Sequence, residues 1–164
     1  MSALAAPIRL SVPGSLRYRG IAVRLVAEAA RLVSGSARKD PNDTLANDVR
    51  DPFDTAVVSA FAEIFNNVAI HAYKRHSGGV IEVAITPTDR ELLIELTDEG
   101  APFDIDGVAP LPSDLDEASL PEGGMGIHIA KTMLDEMTYE PGPPNLWRLR
   151  KVLTATDAVS NGRS

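Results

Sequence analysis

Phe61-Ala62-Glu63-Ile64-Phe65-Asn66-Asn67-Val68-Ala69-Ile70-His71-Ala72-Tyr73 is the stretch around which the rest of the chain is read. Phe53, Val57, Ala60, Ile64, Val68 and Ala72 recur every three or four positions, as on the apolar face of a helix. Glu63, Asn67 and His71 fall at i, i+4 and i+8 and form a polar stripe beside that face. A carboxylate, an amide and an imidazole aligned in apolar surroundings are costly unless something uses them. A helix with three solvated polar residues accounts for the same spacing. The stripe leaves both readings open, and glycine-bearing segments further along bear on the choice.

Outward from this helix, Asp51-Pro52 reads as its start, with Asp at the cap and Pro in the first turn. Before it, Ile8 to Val12 alternates as a short strand and stops at Pro13-Gly14. Ser15 is placed to cap a helix whose apolar face is Ala22, Leu25, Val26, Ala29 and Val33, closed by Ser34-Gly35-Ser36. Residues 36–50 read as a polar surface loop. After the organising helix, expected to run to about Tyr73, His76-Ser77-Gly78-Gly79 turns the chain. Val80 to Thr86 and Glu91 to Thr97 then form an antiparallel hairpin, with Ile81, Val83, Ile85, Leu92, Ile94 and Leu96 inward.

Residues 105–122 show neither period and carry three prolines and several acids, as in a functional or mobile segment. Gly123-Gly124-Met125-Gly126 opens a helix with Ile127, Ala130, Met133, Leu134 and Met137 on its apolar stripe. Thr138 to Glu140 and Asn145 to Leu153 read as strands, and 154–164 as a flexible tail. One domain, 8–153, is expected.

The 164 residues carry a net charge of −7, which argues against a nucleic-acid surface. There is no cysteine, and the three histidines lack His-Glu-x-x-His spacing, so a disulfide framework, a thiol nucleophile and a structural zinc site are not expected. No apolar run approaches the roughly 18 residues that span a bilayer, and Met1 to Pro7 lacks the features of a signal peptide, so a cytoplasmic protein without membrane contact is expected.

The chemistry comes from three segments. Asp98, at the end of a strand, can accept a hydrogen bond from an exocyclic amine, and Gly100 lets backbone approach a flat ring. An adenine would supply both, although Asp-Glu-Gly is also an ordinary polar turn. Gly123 to Gly126 runs into a helix whose first amides point at an anion. It is not a Walker pattern, having no Gly-Lys-Ser/Thr, and lacks Rossmann spacing. Asn67 offers an amide oxygen to Mg²⁺, Glu63 can take a proton from an attacking hydroxyl, and His71 either contacts phosphate or packs.

Together, Glu63-x-x-x-Asn67-x-x-x-His71-Ala72-Tyr73, Asp98-x-Gly100-x-Pro102-Phe103-Asp104 and Gly123-Gly124-Met125-Gly126 resemble the GHKL-type (Bergerat) ATP-binding fold of gyrase-type ATPases and histidine kinases. Within it, the short length, the Pro-Phe-Asp and the Gly-Gly-Met-Gly are similar to bacterial anti-sigma-factor serine/threonine kinases. The resemblance covers about residues 8 to 153. It implies an α/β (α+β) two-layer sandwich with helices on one face of a mixed, mostly antiparallel sheet. It further implies Glu63 as catalytic base, Asn67 as Mg²⁺ ligand, and Asp98 as reader of the adenine amine. Gly100, Gly124 and Gly126 would shape the pocket, with Gly123, Met125 and His71 also at the nucleotide and 105–122 as an ATP lid. Implied partners are a sigma factor, a STAS anti-anti-sigma protein phosphorylated on serine or threonine, and a second copy in a homodimer. The chain departs from the family's pattern in a longer 34–50 loop, an acidic lid, and Trp147-Arg148 in a strand where relatives often carry a threonine.

Four functions compete: a protein kinase that sequesters its partner, a non-catalytic module in which nucleotide gates partner binding, the catalytic half of a histidine kinase, and a domain with no ligand. The third needs a helical hairpin with an acceptor histidine, for which no segment is expected.

Overall fold

The computed structural model describes residues 6–35, 51–72, 78–106 and 125–154. Five strands form one sheet: β1 (Ile8–Pro13), β2 (Val80–Pro87), β3 (Glu91–Asp98), β4 (Glu136–Glu140) and β5 (Asn145–Val152), in the order β1-β2-β3-β5-β4. The sheet expected to be mixed and mostly antiparallel is antiparallel in every described pairing. Helices α1 (Arg19–Ser34), α2 (Pro52–Asn67) and α3 (Met125–Met133) form the second layer. α2 lies between the others, α1 reaches β2 and β3, and α2 reaches β5.

The two periods in the sequence meet at this layer boundary. Ile81, Val83 and Ile85 alternate inward along β2, and Leu92, Ile94 and Leu96 along β3. Phe53, Val57, Ala60 and Ile64 of α2, and Val68 just after it, are buried in the same core, with Phe61 and Phe65 beside that stripe. Each large side chain so enclosed contributes roughly 1.5–3 kcal/mol relative to exposure. Pro52–His71 is apolar and long enough to cross a membrane by length and composition, but half of it is buried in this layer, as in a core helix.

The caps follow the sequence. Asp51 accepts the amides of Phe53 at 2.9 Å and Asp54 at 3.1 Å, with Pro52 in the first turn of α2. Gly35 ends α1 at φ 80°, a left-handed conformation in which glycine carries no side-chain penalty. Ser15 caps a short 3₁₀ turn, Leu16–Tyr18, through the Arg17 amide, and α1 begins only at Arg19.

Two boundaries differ from the expectation. The organising helix is α-helical only to Asn67 and continues as a π turn over Val68–Ala72. Met137 belongs to β4 rather than α3, because the helix stops at Met133 and the chain reverses through Leu134 and Asp135. Met137 and Tyr139 are the half-buried positions of β4, so the helix spacing that Met137 shares with Met133 and Leu134 is in fact the start of a strand period. The 36–50 loop, Tyr73 to Ser77, most of the lid (107–122) and the tail from 155 lie outside the described residues.

Candidate functional site

The end of α2 faces the β3–β5–β4 side of the sheet across a pocket. Asn67, Val68 and His71 line it from the helix, Asp98, Ala101 and Phe103 from β3 and the segment after it, and Tyr139 and Trp147 from β4 and β5. Three candidates separated by up to thirty-one positions, Asn67, His71 and Asp98, therefore share one cavity. The π turn begins immediately after Asn67 and carries His71, which is exposed at the pocket rim. Such wide turns recur at functional sites in helices.

Asp98 is only 3% exposed. Its Oδ1 accepts the Gly100 amide at 2.9 Å and the Asn145 amide at 2.9 Å. Neither bond uses Oδ2. Burial raises the carboxyl above its ordinary value, and the bonds from Asn145 and Gly100 oppose that rise. Gly100 is thus held to Asp98 through its own amide. Asn145 also donates to the Gly100 carbonyl at 2.9 Å and accepts the Gly142 amide at 2.9 Å.

One wall is aromatic. Tyr139 and Trp147 are cross-strand partners with ring centroids 4.4 Å apart, and Phe103 packs at 6.0 Å from Trp147 and 6.4 Å from Tyr139. The Phe103 amide donates to the Tyr139 hydroxyl at 2.7 Å, which ties the stretch after Gly100 to the edge strand. Burial raises the Tyr139 hydroxyl's pKa, the Phe103 bond opposes this, and the nearby Asp98 charge adds to the rise. The His71 ring lies 6.3 Å from Phe103.

Glu63 sits one turn before Asn67 on α2, against the first turn of α3. A β-carbon added at Gly126 would run into the Glu63 carboxylate, with Glu63 Cδ at 3.2 Å and Cβ at 3.4 Å. A side chain there would push the carboxylate end of Glu63 out of its place. Met125, beside it, is 37% exposed. Gly123 and Gly124 lie outside the described residues.

The site suits a nucleotide by its own chemistry. Nδ2 of Asn67 is buried with no hydrogen-bond partner among the described residues. A buried amide left so costs about 1–3 kcal/mol, which an acceptor such as a phosphate oxygen would relieve. Beside it are an aromatic wall of Phe103, Tyr139 and Trp147 and a carboxylate with one oxygen uncommitted.

Asn145, Tyr139 and Phe103 were not recognised in the sequence as pocket-building residues, and Trp147 was noted only as a departure. Alternation along β5 separates the two residues of that departure: Trp147 faces the pocket, while Arg148 lies on the opposite face between Glu95 at 2.9 Å and Glu140 at 3.3 Å. A period-two reading of β5 carries this signal, but the partners across β3 and β4 are not local.

A profile of the histidine kinase-like ATPase domain matches residues 16–151. The chain belongs to that family. The family's match runs from the 3₁₀ turn before α1 to the end of β5, so it takes in every described part of the pocket. The chain is 24% identical over 160 residues to a serine-protein kinase RsbW of Staphylococcus aureus, covering 94% of this chain and 92% of the relative. It is 32% identical over 85 residues to a serine-protein kinase RsbW of Bacillus licheniformis, covering 49% and 53%. It is 26% identical over 109 residues to an anti-sigma F factor of Bacillus velezensis, covering 65% and 75%.

Proposed function

We propose that this protein is an ATP-dependent protein serine kinase and anti-sigma factor, which phosphorylates a STAS anti-anti-sigma partner and otherwise sequesters a sigma factor. The observation that carries the reading is the convergence of Asp98, Asn67 and His71 on one pocket, with Glu63 one helical turn away against Gly126. Near full-length similarity to a serine-protein kinase supports the same reading.

Asp98 Oδ2 takes the adenine amine, and the Tyr139–Trp147 wall flanks the ring. Asn67 would hold Mg²⁺ together with the phosphates, and the ion would supply neutralisation of phosphate charge there. Glu63 accepts the proton of the attacking serine or threonine hydroxyl. Met125 and Gly126 give the phosphates backbone amides at the start of α3, and Gly123 and Gly124, outside the described residues, belong to the same proposed contact by sequence. His71 stands at the rim, where it reaches a phosphate. The protein acts as a homodimer in the cytoplasm.

Purified protein with a STAS protein from a neighbouring gene and Mg·ATP should yield phosphoserine or phosphothreonine on the partner. Glu63→Ala is expected to keep nucleotide binding and lose about 10²- to 10⁴-fold in transfer rate. Equal rates in both proteins would remove Glu63 from the mechanism. Nucleotide-dependent partner binding with no transfer by the wild type would leave a gated binding module instead.

A further inference from the structure

Asn145 opens β5 and, at 1% exposed, is the least accessible of the buried polar side chains among the described residues. It stands directly opposite Asp98 in the β3–β5 ladder. Its bonding leaves one orientation open. Nδ2 donates to Asp98 Oδ1 and to the Gly100 carbonyl, while Oδ1 accepts from the Gly142 amide. Turning the amide over would set its oxygen against two acceptors and its NH₂ against a donor.

The consequence falls on Asp98. Its Oδ1 receives two donors, Asn145 Nδ2 and the Gly100 amide, and any rotation of the carboxylate short of the half-turn that exchanges its two equivalent oxygens leaves both unpaired in a buried place. Oδ2 is the oxygen left over.

We infer that Asn145 is a positioning residue for base specificity: by occupying Asp98 Oδ1 it commits Oδ2 to the pocket as a pure acceptor, which selects a ring bearing an amine and rejects one bearing a carbonyl. This rests on the nucleotide reading of the pocket. The same lock dictates what an amide at position 98 does. In Asp98→Asn the two donors still require oxygen at the Oδ1 position, so the new NH₂ turns to the ligand. A pocket that read a 6-amino purine then reads a 6-oxo purine. A freely rotating side chain would show no such inversion, because either end of the amide could meet the ring.

The test is calorimetric binding of ATP, ITP and purine riboside triphosphate, each with Mg²⁺, to the wild type, Asn145→Ala and Asp98→Asn. The wild type is expected to bind ATP about tenfold or more tightly than either analogue, the effect of one charge-assisted hydrogen bond. Asp98→Asn is expected to reverse the order and favour ITP. Asn145→Ala is expected to lose most of the preference for ATP while its affinity for purine riboside triphosphate stays within about threefold. Asp98→Asn keeps an acceptor for both donors, so it carries the test if Asn145→Ala does not fold. An Asp98→Asn protein that still prefers ATP, or that weakens ATP and ITP alike, overturns the inference. So does equal loss of all three nucleotides in Asn145→Ala, the result a purely structural clamp gives. A wild type that binds nucleotides without discriminating overturns this inference alone. A wild type that binds none of them overturns the nucleotide reading as well.

Discussion

At Asp98, burial raises the carboxyl above its ordinary value of 3.8, against the bonds from Asn145 and Gly100. A carboxyl whose folded-state pKa lies above its unfolded value favours the fold while protonated. That contribution is complete below 3.8 and is lost as the pH rises through the folded value. Asp98→Asn keeps both bonds without the buried charge. It is therefore expected to match the wild type near pH 4 and to be the more stable protein near pH 7, by urea midpoints taken across that range. A wild type that gains on the variant as the pH rises would contradict this. On the proposed function, the residue that reads the ligand is thus a burden on the empty fold. Gly126 makes a second residue-scale case, since any side chain there meets the Glu63 carboxylate. If Glu63 is the base, as proposed, Gly126→Ala is expected to slow phosphoryl transfer by about a hundredfold by displacing it. Combined with Glu63→Ala it should add little, because the base is already gone. Fully additive losses in single-turnover rates would show that Gly126 acts elsewhere.

The elements report how far local sequence reaches. Asp51-Pro52 was legible as a helix start because capping needs only a side-chain oxygen and the next few amides, and Asp51 binds two of them. Asp51→Ala is expected to lower stability by about 0.5–2 kcal/mol in chemical denaturation. Ile64, fully buried between α2 and the sheet, tests the packing of the same helix: Ile64→Ala should cost about 2–5 kcal/mol. A loss under about 1 kcal/mol at Ile64 would mean that this face is not the core. The outer sheet face behaves differently. Arg148 and Arg150 on β5 lie between Glu95 and Glu91 of β3 and Glu140 and Glu136 of β4, with side chains 35% to 65% exposed. Solvent screens such pairs, so Arg148→Ala is expected to change stability by no more than about 1 kcal/mol. The π turn after Asn67 was not legible. Its apolar positions continue the helical spacing, and nothing in that spacing distinguishes an i→i+5 turn from an α turn.

At the scale of the molecule, the helix layer and the sheet form one unit whose pocket opens where α2 ends over β3, β5 and β4. If that pocket takes Mg·ATP, nucleotide at about a hundred times its dissociation constant should add roughly 2.7 kcal/mol to stability, read as an upward thermal shift. No shift at millimolar nucleotide would remove the proposed activity while leaving the fold intact. The sequence by itself determined the elements and the order of the candidate site residues: the capped apolar helix, the alternating hairpin, and the succession of Glu63, Asn67, Asp98 and the glycines. Caps, turns and periodicities are local, and a few consecutive residues suffice to express them. Only the tertiary structure decided the strand order and with it the partners of Asp98. Asn145 lies 47 positions away, and it meets Asp98 because β5 inserts between β3 and β4 when the inward faces of all three bury against the helices. That pairing depends on which surfaces leave water together, a property of the whole chain rather than of any segment.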